Sequence, residues 1–185
     1  MGLPALNVLE TDRLVLRWLT LDDAEFILKL VNDPSWLRFI GDRGVKTTED
    51  ARNYLLKGPL DMYRRLGFGL YLTALKDSGV AIGLCGLIKR DTLPDVDIGF
   101  AFMPEFRGQG YGREAAAAVL EHGQDRFGLR RIVAITSPDN LDSIKLLAKI
   151  GFTLEQTLCL TAGEPEVNLF ARIIVPSGKP IDGPE

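Results

Sequence analysis

Residues 100–113 read Phe-Ala-Phe-Met-Pro-Glu-Phe-Arg-Gly-Gln-Gly-Tyr-Gly-Arg, and this stretch decides the fold of the chain. The pattern predicts a strand that ends in a glycine-rich loop, and a helix that begins directly after the loop. Glycine adopts positive φ and lets a ligand approach the backbone closely. The first amides of a helix have no partner within it and carry a partial positive charge. We therefore expect a cradle for phosphate oxygens here, with Arg107 and Arg113 adding positive charge beside it.

The glycine spacing leaves a second interpretation open, a turn needed only for tight packing of the strand on the helix. Glycines stand at positions 108, 110 and 112, in a Gly-x-Gly-x-Gly pattern. This spacing fits neither the dinucleotide fingerprint Gly-x-Gly-x-x-Gly nor the Walker loop Gly-x4-Gly-Lys-Ser/Thr. The loop also does not follow the first strand of the chain, as a Rossmann turn does. The two common nucleotide-binding folds are therefore disfavoured.

The segments around this loop predict one α/β domain. Alternating or apolar β-branched runs indicate strands, which are Arg13–Trp18, Gly69–Lys76, Ala81–Lys89, Val96–Phe102, Arg131–Thr136, Phe152–Leu160 and Val167–Val175. Helices are predicted after Thr20, ending at Asp33-Pro34; after Thr47, with a break at Gly58-Pro59; from Gly112 to Phe127; and from Asn140 to Ile150. The order βααβββαβαββ combines an antiparallel meander with a strand–helix–strand crossover, which gives a mixed sheet with helices on both faces. We expect the domain to span residues 9–175, with residues 1–8 and 176–185 as loosely ordered ends.

Composition places the chain among ordinary globular proteins. Its 185 residues are 46% hydrophobic and 25% charged, which excludes wholesale disorder. The longest run without charge, Ser78–Ile88, is well short of the ~20 apolar residues of a membrane helix, and no basic segment leads into an apolar one at the N-terminus. A net charge of −3 and a pI of about 5.3 argue against a nucleic-acid binder. We expect a cytoplasmic protein with no membrane or nucleic-acid partner.

Cysteine and histidine are too few for a metal site. A Cys/His zinc site needs about four ligands and usually has Cys-x-x-Cys pairs, whereas this chain has only Cys85, Cys159 and His122. Both cysteines lie in apolar strand-like runs, which predicts buried free thiols. His122 falls on the polar side of its helix, which predicts a surface residue. The sequence thus implies no metal cofactor.

The motif Arg107–Gly112 resembles the Arg/Gln-x-x-Gly-x-Gly/Ala motif of the GCN5-related N-acetyltransferase (GNAT) superfamily, which binds acetyl-coenzyme A (acetyl-CoA). Four other segments resemble, in order and spacing, blocks of its Rim-type (RimJ/RimL-like) branch, the ribosomal-protein alpha-amino acetyltransferases and their relatives. These segments are Glu10–Arg17, Asp33–Gly41, Gly83–Leu87 and Asn140–Phe152. The resemblance therefore covers nearly the whole predicted domain.

The resemblance implies a GNAT fold, in which two central parallel strands of a mostly antiparallel sheet splay apart. The pyrophosphate of acetyl-CoA would lie on the loop amides beside Arg107, which belong to Gly108, Gln109, Gly110, Tyr111, Gly112 and Arg113. Its pantetheine arm would enter between Val96–Phe102 and Arg131–Thr136. Backbone groups of Phe100, Ala101 and Phe102 would pair with that arm, and one amide there would polarise the thioester carbonyl. Packing alone is enough to set the identities of Phe100 and Phe102.

The reaction that the resemblance implies needs a base for the proton of the attacking amine. The corresponding family stretch often carries Glu where this chain has Asp97, in Asp97-Ile-Gly-Phe100. Strand alternation puts Asp97, Gly99 and Ala101 on one face, and we expect the Asp97 carboxylate near the acceptor. A solvated acid at the strand edge is the alternative interpretation, and Glu155 is a weaker candidate for the base.

Protonation of the leaving thiolate needs an acid or a hydrogen-bond donor. Many superfamily members use a tyrosine seven residues after the motif asparagine, here Asn140, but this chain has Leu147 at that position. Rim-type relatives place a serine at the position of Ser143, and we predict that its hydroxyl hydrogen-bonds the sulfur. Asn140 and Ser143 fit a plain helix cap equally well, although Asn140 is able to cap the helix and contact the cofactor arm together.

The acceptor amine is the least determined part of the function. The resemblance implies an acetyl-CoA-dependent N-acetyltransferase, a monomer or homodimer, that transfers the acetyl group directly within a ternary complex. A protein N-terminal α-amine is the first interpretation, by branch analogy; a small-molecule amine, such as an aminoglycoside or a metabolite amine, is the second. A catalytically weak acyl-CoA-binding sensor is the third, and Leu147 favours it. Aromatic residues of the N-terminal third either shape the acceptor pocket or pack the core, namely Trp18, Trp36, Phe39 and Tyr54.

Overall fold

The structure of the protein, a computed structural model, describes residues 6–174. The predictions for residues 1–5 and 175–185 lie outside this part. Eight strands are present in it: β1 (Asn7–Glu10), β2 (Leu14–Arg17), β3 (Leu70–Leu75), β4 (Ala81–Lys89), β5 (Val96–Phe102), β6 (Arg131–Thr136), β7 (Thr153–Leu158) and β8 (Val167–Ile173). Six α-helices accompany them: α1 (Ala24–Val31), α2 (Pro34–Phe39), α3 (Thr48–Lys57), α4 (Pro59–Leu66), α5 (Tyr111–Phe127) and α6 (Leu141–Lys149).

The strands form one sheet in the order β1-β2-β3-β4-β5-β6-β8-β7. Every neighbouring pair is antiparallel except β5 and β6, which are parallel and are joined through α5. The predicted α/β fold with a mixed, mostly antiparallel sheet is therefore confirmed. Strand β1 was not predicted, and it begins at Asn7, two residues before the predicted domain boundary. It is fixed by pairing with β2 rather than by a pattern of its own, because four residues carry too little periodicity.

The dipeptide Asp33-Pro34 ends one helix, as predicted, and also begins another that the sequence analysis missed. Helix α1 ends at Val31, and the Asp33 carboxylate then accepts hydrogen bonds from the backbone N–H groups of Ser35 and Trp36. Proline suits the first position of a helix because its missing N–H has no helical partner there. The predicted break at Gly58-Pro59 is likewise confirmed, since it separates α3 from α4.

Helix α5 covers the centre of the sheet and contacts β2, β4 and β5. Its inner face is made of small and aliphatic residues, which are Ala115, Ala116, Val119, Leu120 and Gly123. A Cβ at Gly123 would lie 3.1 Å from Leu87 Cδ1 and 3.3 Å from Ile132 Cδ1, so glycine allows the close approach of helix and sheet. Near the helix N-terminus, a Cβ at Gly112 would lie 3.4 Å from the ring of Phe102, so this end of α5 packs against the end of β5.

Two sequence predictions about reactive side chains need correction. Cys85 is buried, and burial raises the pKa of its thiol, but Cys159 is exposed because it follows β7, an edge strand, rather than lying inside the sheet. His122 is half-buried instead of fully exposed. Its ring packs edge-on against Phe127 and Tyr71, with centroid distances of 5.4 and 6.4 Å. Burial accordingly lowers the pKa of His122, together with the charge of Arg126.

Candidate active site

The two parallel strands separate almost as soon as they meet. Strands β5 and β6 pair only at Asp97 and Val133. Beyond this point a cleft of about 790 Å³ opens between them. It is lined on one side by residues 98–101 of β5 and on the other by residues 134–137, at the end of β6 and just after it. The predicted splay is thus present, and it leaves backbone groups of both strands without strand partners.

Those free backbone groups belong to alternate residues of β5. The Met103 N–H donates to the Ile82 carbonyl at 2.9 Å, on the side of β4. Antiparallel pairing alternates along a strand, so the backbone N–H and C=O groups of Phe100 and Phe102 point away from β4, although the Phe102 carbonyl already accepts a hydrogen bond from Arg107 Nε. The Phe102 ring is buried and lies against Gly112, which fits the packing interpretation of its identity. The predicted backbone role of Phe100 and Phe102 and a packing role of the Phe102 ring are therefore compatible.

The glycine-rich loop presents a row of amides at the head of α5. Gly108 and Gly110 have φ values of +74° and +86°, which only glycine adopts without strain. Within residues 6–174, no backbone or side-chain acceptor is bound to any N–H from residue 108 to residue 113. Gly112 has the packing role of the alternative interpretation, because a Cβ there would lie 2.9 Å from Leu146 Cδ1. Gly108 and Gly110 thus give the loop its backbone conformation, and Gly112 allows close packing at the start of α5.

The loop is held in place by Arg13, a residue that sequence reasoning missed. Its Nη1 donates to the Gln109 carbonyl at 3.1 Å, and its guanidinium lies 4.4 Å from the centroid of the Tyr111 ring. The Arg13 Nε and Nη2 atoms also bind Glu114 Oε2, both at 2.7 Å. Arg13 and Glu114 are separated by 101 residues, so no local pattern in the sequence could have paired them.

Arg107, which the sequence predicts to add positive charge beside the loop, has its guanidinium paired with groups of the protein. Its Nη2 lies 2.6 Å from Asp33 Oδ1, its Nη1 2.7 Å from the Ser35 hydroxyl, and its Nε 2.8 Å from the Phe102 carbonyl. Its backbone N–H donates to the Pro104 carbonyl. Although burial alone would raise the pKa of the Asp33 carboxyl, the Arg107 guanidinium and two backbone amides hold it below its usual value. Arg107 therefore ties α2 to the end of β5, whereas Arg113 is exposed at the start of α5.

Asp97 lies where the cleft begins and is almost completely buried, with 1% of its surface exposed. Its Oδ2 accepts a hydrogen bond from Arg90 Nε at 3.1 Å, and its Oδ1 is buried without a hydrogen-bond partner among the described residues. Burial raises the pKa of the Asp97 carboxyl, and the nearby charge of Arg90 opposes this rise. The interpretation of Asp97 as a solvated acid at a strand edge is therefore wrong, because β5 is a central strand.

Glu155, the weaker candidate for the base, is not part of the cleft. It lies on the edge strand β7, where its two oxygens pair with Arg131 Nη1 and Nη2 at 2.7 and 2.6 Å. These hydrogen bonds lower the pKa of the Glu155 carboxyl, which weakens it as a base. Among the described residues that line the cleft, Asp97 is the buried carboxylate.

The start of α6 brings Asn140 and Ser143 to the wall of the cleft. The Asn140 Oδ1 accepts a hydrogen bond from the Ser143 backbone N–H at 3.2 Å, so the predicted helix cap is present. This cap involves only the backbone N–H of Ser143. The Ser143 hydroxyl has no hydrogen-bond partner among the described residues. Leu147, one turn further on, is fully buried and also lines the cleft.

Three of the four aromatic residues singled out in the sequence line the cleft, namely Trp36, Phe39 and Tyr54. Trp18 instead stacks on Tyr63, with ring centroids 4.7 Å apart, and belongs to the packing. Trp36 Nε1 and Thr136 Oγ1 are buried without hydrogen-bond partners among residues 6–174. Both residues line the cleft, as Asp97 does, so three buried unpaired polar atoms belong to side chains of the cleft wall. Unpaired buried polar groups are costly, which makes these three side chains candidates for contact with a ligand.

The described part of the chain contains no group of three or more His, Cys, Asp or Glu side chains arranged to hold a metal ion. Its helices, searched over the same residues, include none with the length and apolarity of a membrane span.

A loop of free amides at a helix start, beside a gap between two parallel strands, is the site architecture of acyltransferases that take their acyl group from coenzyme A. The chain belongs to the GNAT acetyltransferase family: residues 13–153 match the model of the acetyltransferase (GNAT) domain. The expected superfamily and the expected enzyme class, an N-acetyltransferase, are thereby confirmed.

Three comparisons show how close the relatives are. The uncharacterized N-acetyltransferase YnaD of Bacillus subtilis is 30% identical over 145 residues, which cover 78% of this chain and 82% of YnaD. The GNAT-family acetyltransferase of Bacillus anthracis is 26% identical, with a TM-score of 0.73 and coverage of 94% of this chain and 98% of that one. RimL, a ribosomal L7/L12 alpha-N-protein acetyltransferase solved with coenzyme A, shares the fold at a TM-score of 0.78 and 23% identity, over 91% of this chain and 98% of its own.

Proposed function

We propose that the protein transfers the acetyl group of acetyl-CoA directly to the α-amino group of a protein N-terminus, as a cytoplasmic enzyme of the Rim-type branch. The observation that carries the proposal is the buried, unpaired Oδ1 of Asp97 in the wall of a cleft between β5 and β6. RimL, which shares the fold, is described as an alpha-N-protein acetyltransferase. In the proposal, acetyl-CoA binds with its diphosphate on residues 108–113 and its pantetheine arm between β5 and β6.

The proton chemistry of the site favours an α-amine over a lysine side chain. A lysine amine with a pKa of ~10.4 is neutral in about one molecule in 2,500 at pH 7, whereas an α-amine near 7.8 is neutral in about one in seven. Deprotonation therefore costs ~4.6 kcal/mol for lysine and ~1.2 kcal/mol for an α-amine. One carboxylate with a raised pKa, that of Asp97, is sufficient to deprotonate an α-amine. The amine nitrogen then forms its bond to the acetyl carbon while the bond between that carbon and the coenzyme A sulfur breaks. The amine gives up one proton to Asp97, and the leaving thiolate takes up one proton from solvent.

Ser143 is proposed to stabilise that leaving thiolate through its hydroxyl. We expect Ser143→Ala to lower kcat by about tenfold, while the KM for acetyl-CoA and the free energy of unfolding stay unchanged. The stability is preserved because the Asn140 cap binds the Ser143 backbone N–H, which alanine retains. Steady-state kinetics and urea unfolding check both parts. An unaltered kcat would remove Ser143 from the mechanism.

The proposed acceptor is tested by following free CoA with a thiol-reactive dye in the presence of an amine panel. The panel contains short peptides with a free N-terminus, the same peptides with an acetylated N-terminus, an aminoglycoside and a polyamine. We expect CoA release with the free peptides alone. Release with the aminoglycoside or polyamine instead would establish a small-molecule acetyltransferase, and binding of acetyl-CoA without release for any amine would indicate a sensor.

A further inference from the structure

The acceptor end of the cleft is lined by three arginines, Arg38, Arg43 and Arg90. Two of them already have carboxylate partners: Arg38 binds Asp139 at 2.8 Å, and Arg90 binds Asp97 at 3.1 Å. Arg43 has no carboxylate within 4.0 Å among residues 6–174, and its one recorded hydrogen bond, to the Ile40 carbonyl, is 3.5 Å long. Arg43 is thus an exposed guanidinium group at the cleft that no carboxylate of the described residues neutralises.

Arg43 and Arg90 come from different segments of the chain and line the same cleft as Tyr54 of α3. Burial raises the pKa of the Tyr54 phenol, and the positive charges of Arg43 and Arg90 oppose this rise. All three residues line the cleft, and the Tyr54 hydroxyl has no recorded hydrogen bond in the described residues. We refer to Arg43, Tyr54 and Arg90 as the anion subsite.

The anion subsite is adjacent to the proposed reaction centre through Asp97, whose carboxylate binds Arg90 directly. An amine bound beside Asp97 therefore lies close to the Arg90 guanidinium, because both groups contact the same carboxylate. An extended peptide advances about 3.4 Å per residue, so a group that reaches Arg90 from an amine beside Asp97 belongs to the first two residues of the acceptor. The lining of the cleft also includes the exposed residues Glu164 and Glu166, whose negative charges suit the approach of an ammonium group.

We infer that the acceptor carries a carboxylate beside its reactive amine, and that Arg43, with Tyr54 and Arg90, binds this carboxylate. Guanidinium groups bind carboxylates in a bidentate manner, which fixes orientation as well as charge. The inference rests on the proposed function and narrows it to N-termini in which the first or second residue is acidic. A free α-amino acid with an acidic side chain presents the same chemistry.

The test compares three peptides that begin with the same serine and have glutamate, glutamine or arginine at the second position, so that each offers one amine. With the wild-type protein we expect kcat/KM to fall about tenfold from the glutamate to the glutamine peptide and further for the arginine peptide. The preference should shrink as the salt concentration rises from 50 to 500 mM, because exposed charges are screened. Equal rates for the glutamate and glutamine peptides would overturn the inference while leaving the proposed function intact.

Two variants test whether the preference for the glutamate peptide depends on Arg43. Arg43→Glu should reverse the order and favour the arginine peptide, whereas Arg64→Glu, the same charge change at an exposed arginine of α4 outside the cleft, should leave the order unchanged. If both variants reverse the order of the peptides, the preference depends on the net charge of the protein rather than on Arg43, and the inference is overturned. Free glutamate is the last acceptor to be assayed. If it is acetylated by the wild-type protein but not by Arg43→Glu, and no peptide reacts, the anion subsite is supported and the proposed protein substrate is refuted.

Discussion

Replacing Gly110 by glutamate is expected to lower the affinity for acetyl-CoA at least 100-fold. Gly110 has a φ of +86°, so any side chain there strains the loop, and its Cβ would lie 3.3 Å from Arg13 Nη2, the residue that holds the loop. A new carboxylate ~5 Å from the diphosphate would add about 3 kcal/mol of repulsion at an effective dielectric constant near 20, which by itself is roughly 100-fold in affinity. Isothermal titration calorimetry with CoA and with acetyl-CoA measures the loss.

The matched control for this variant is Gly128→Glu. Gly128 ends α5 with a φ of +65°, at the opposite end of the helix from the loop, and a Cβ there would meet no atom within 4 Å. It therefore receives the same charge and a similar backbone strain without approaching the amides of residues 108–113. We expect CoA affinity close to that of the wild-type protein. If both variants lose affinity equally, or if Gly110→Glu retains it within threefold, the diphosphate does not bind at this loop.

The second large effect is expected from Asp97→Asn, which should lower kcat by at least 100-fold at pH 7 with little change in acetyl-CoA affinity. Asparagine keeps the size of the side chain but cannot accept the amine proton, and general-base catalysis is typically worth 10²–10⁴. Asp95→Asn is the control, since Asp95 precedes β5, lies outside the cleft and pairs with Arg131 at 3.0 Å. An Asp97→Asn protein that turns over at the wild-type rate would exclude Asp97 as the base.

The pH dependence gives Asp97 a signature that a structural role would not produce. Burial raises its pKa, so the wild-type kcat should rise with pH through a value above the ~3.9 of an ordinary aspartate, and this limb should vanish in Asp97→Asn. A raised pKa also means that the folded state binds the proton more tightly than the unfolded state, so ionised Asp97 reduces stability as pH increases through this window. The variant should consequently be at least as stable as the wild-type protein at pH 7, and the difference should disappear at pH values below the pKa of the unfolded chain. Urea unfolding at several pH values checks this sign.

Local sequence was sufficient wherever neighbouring residues determine the structure. The Gly108–Arg113 loop, the Asn140 cap and the break at Gly58-Pro59 each follow from backbone preferences within a few residues, and each is present. Helix α2 was missed because a proline that ends one helix is equally suited to begin the next. Cys159 was misjudged because an apolar run does not reveal whether its strand lies at the edge of the sheet.

Ion pairs between residues far apart in the sequence could not be predicted from the sequence. Arg107 and Asp33 are 74 residues apart, and their contact converts a predicted phosphate ligand into a structural tie between α2 and β5. Sequence reasoning likewise did not pair Arg13 with Glu114, or place Arg43, Arg90 and Tyr54 in the lining of one cleft.

By itself, the sequence determined the α/β class and the amide-bearing turn, because hydrogen bonding and glycine geometry act between adjacent residues. Only the tertiary structure decided which charged groups remain available to a substrate. Within residues 6–174, Asp97 keeps an oxygen without a hydrogen-bond partner and Arg43 has no carboxylate partner, whereas Arg107 and Glu155 form internal ion pairs. Whether an ionic group is neutralised depends on what the folded chain places within a few ångströms of it, and that distance is set by packing between segments far apart in the sequence.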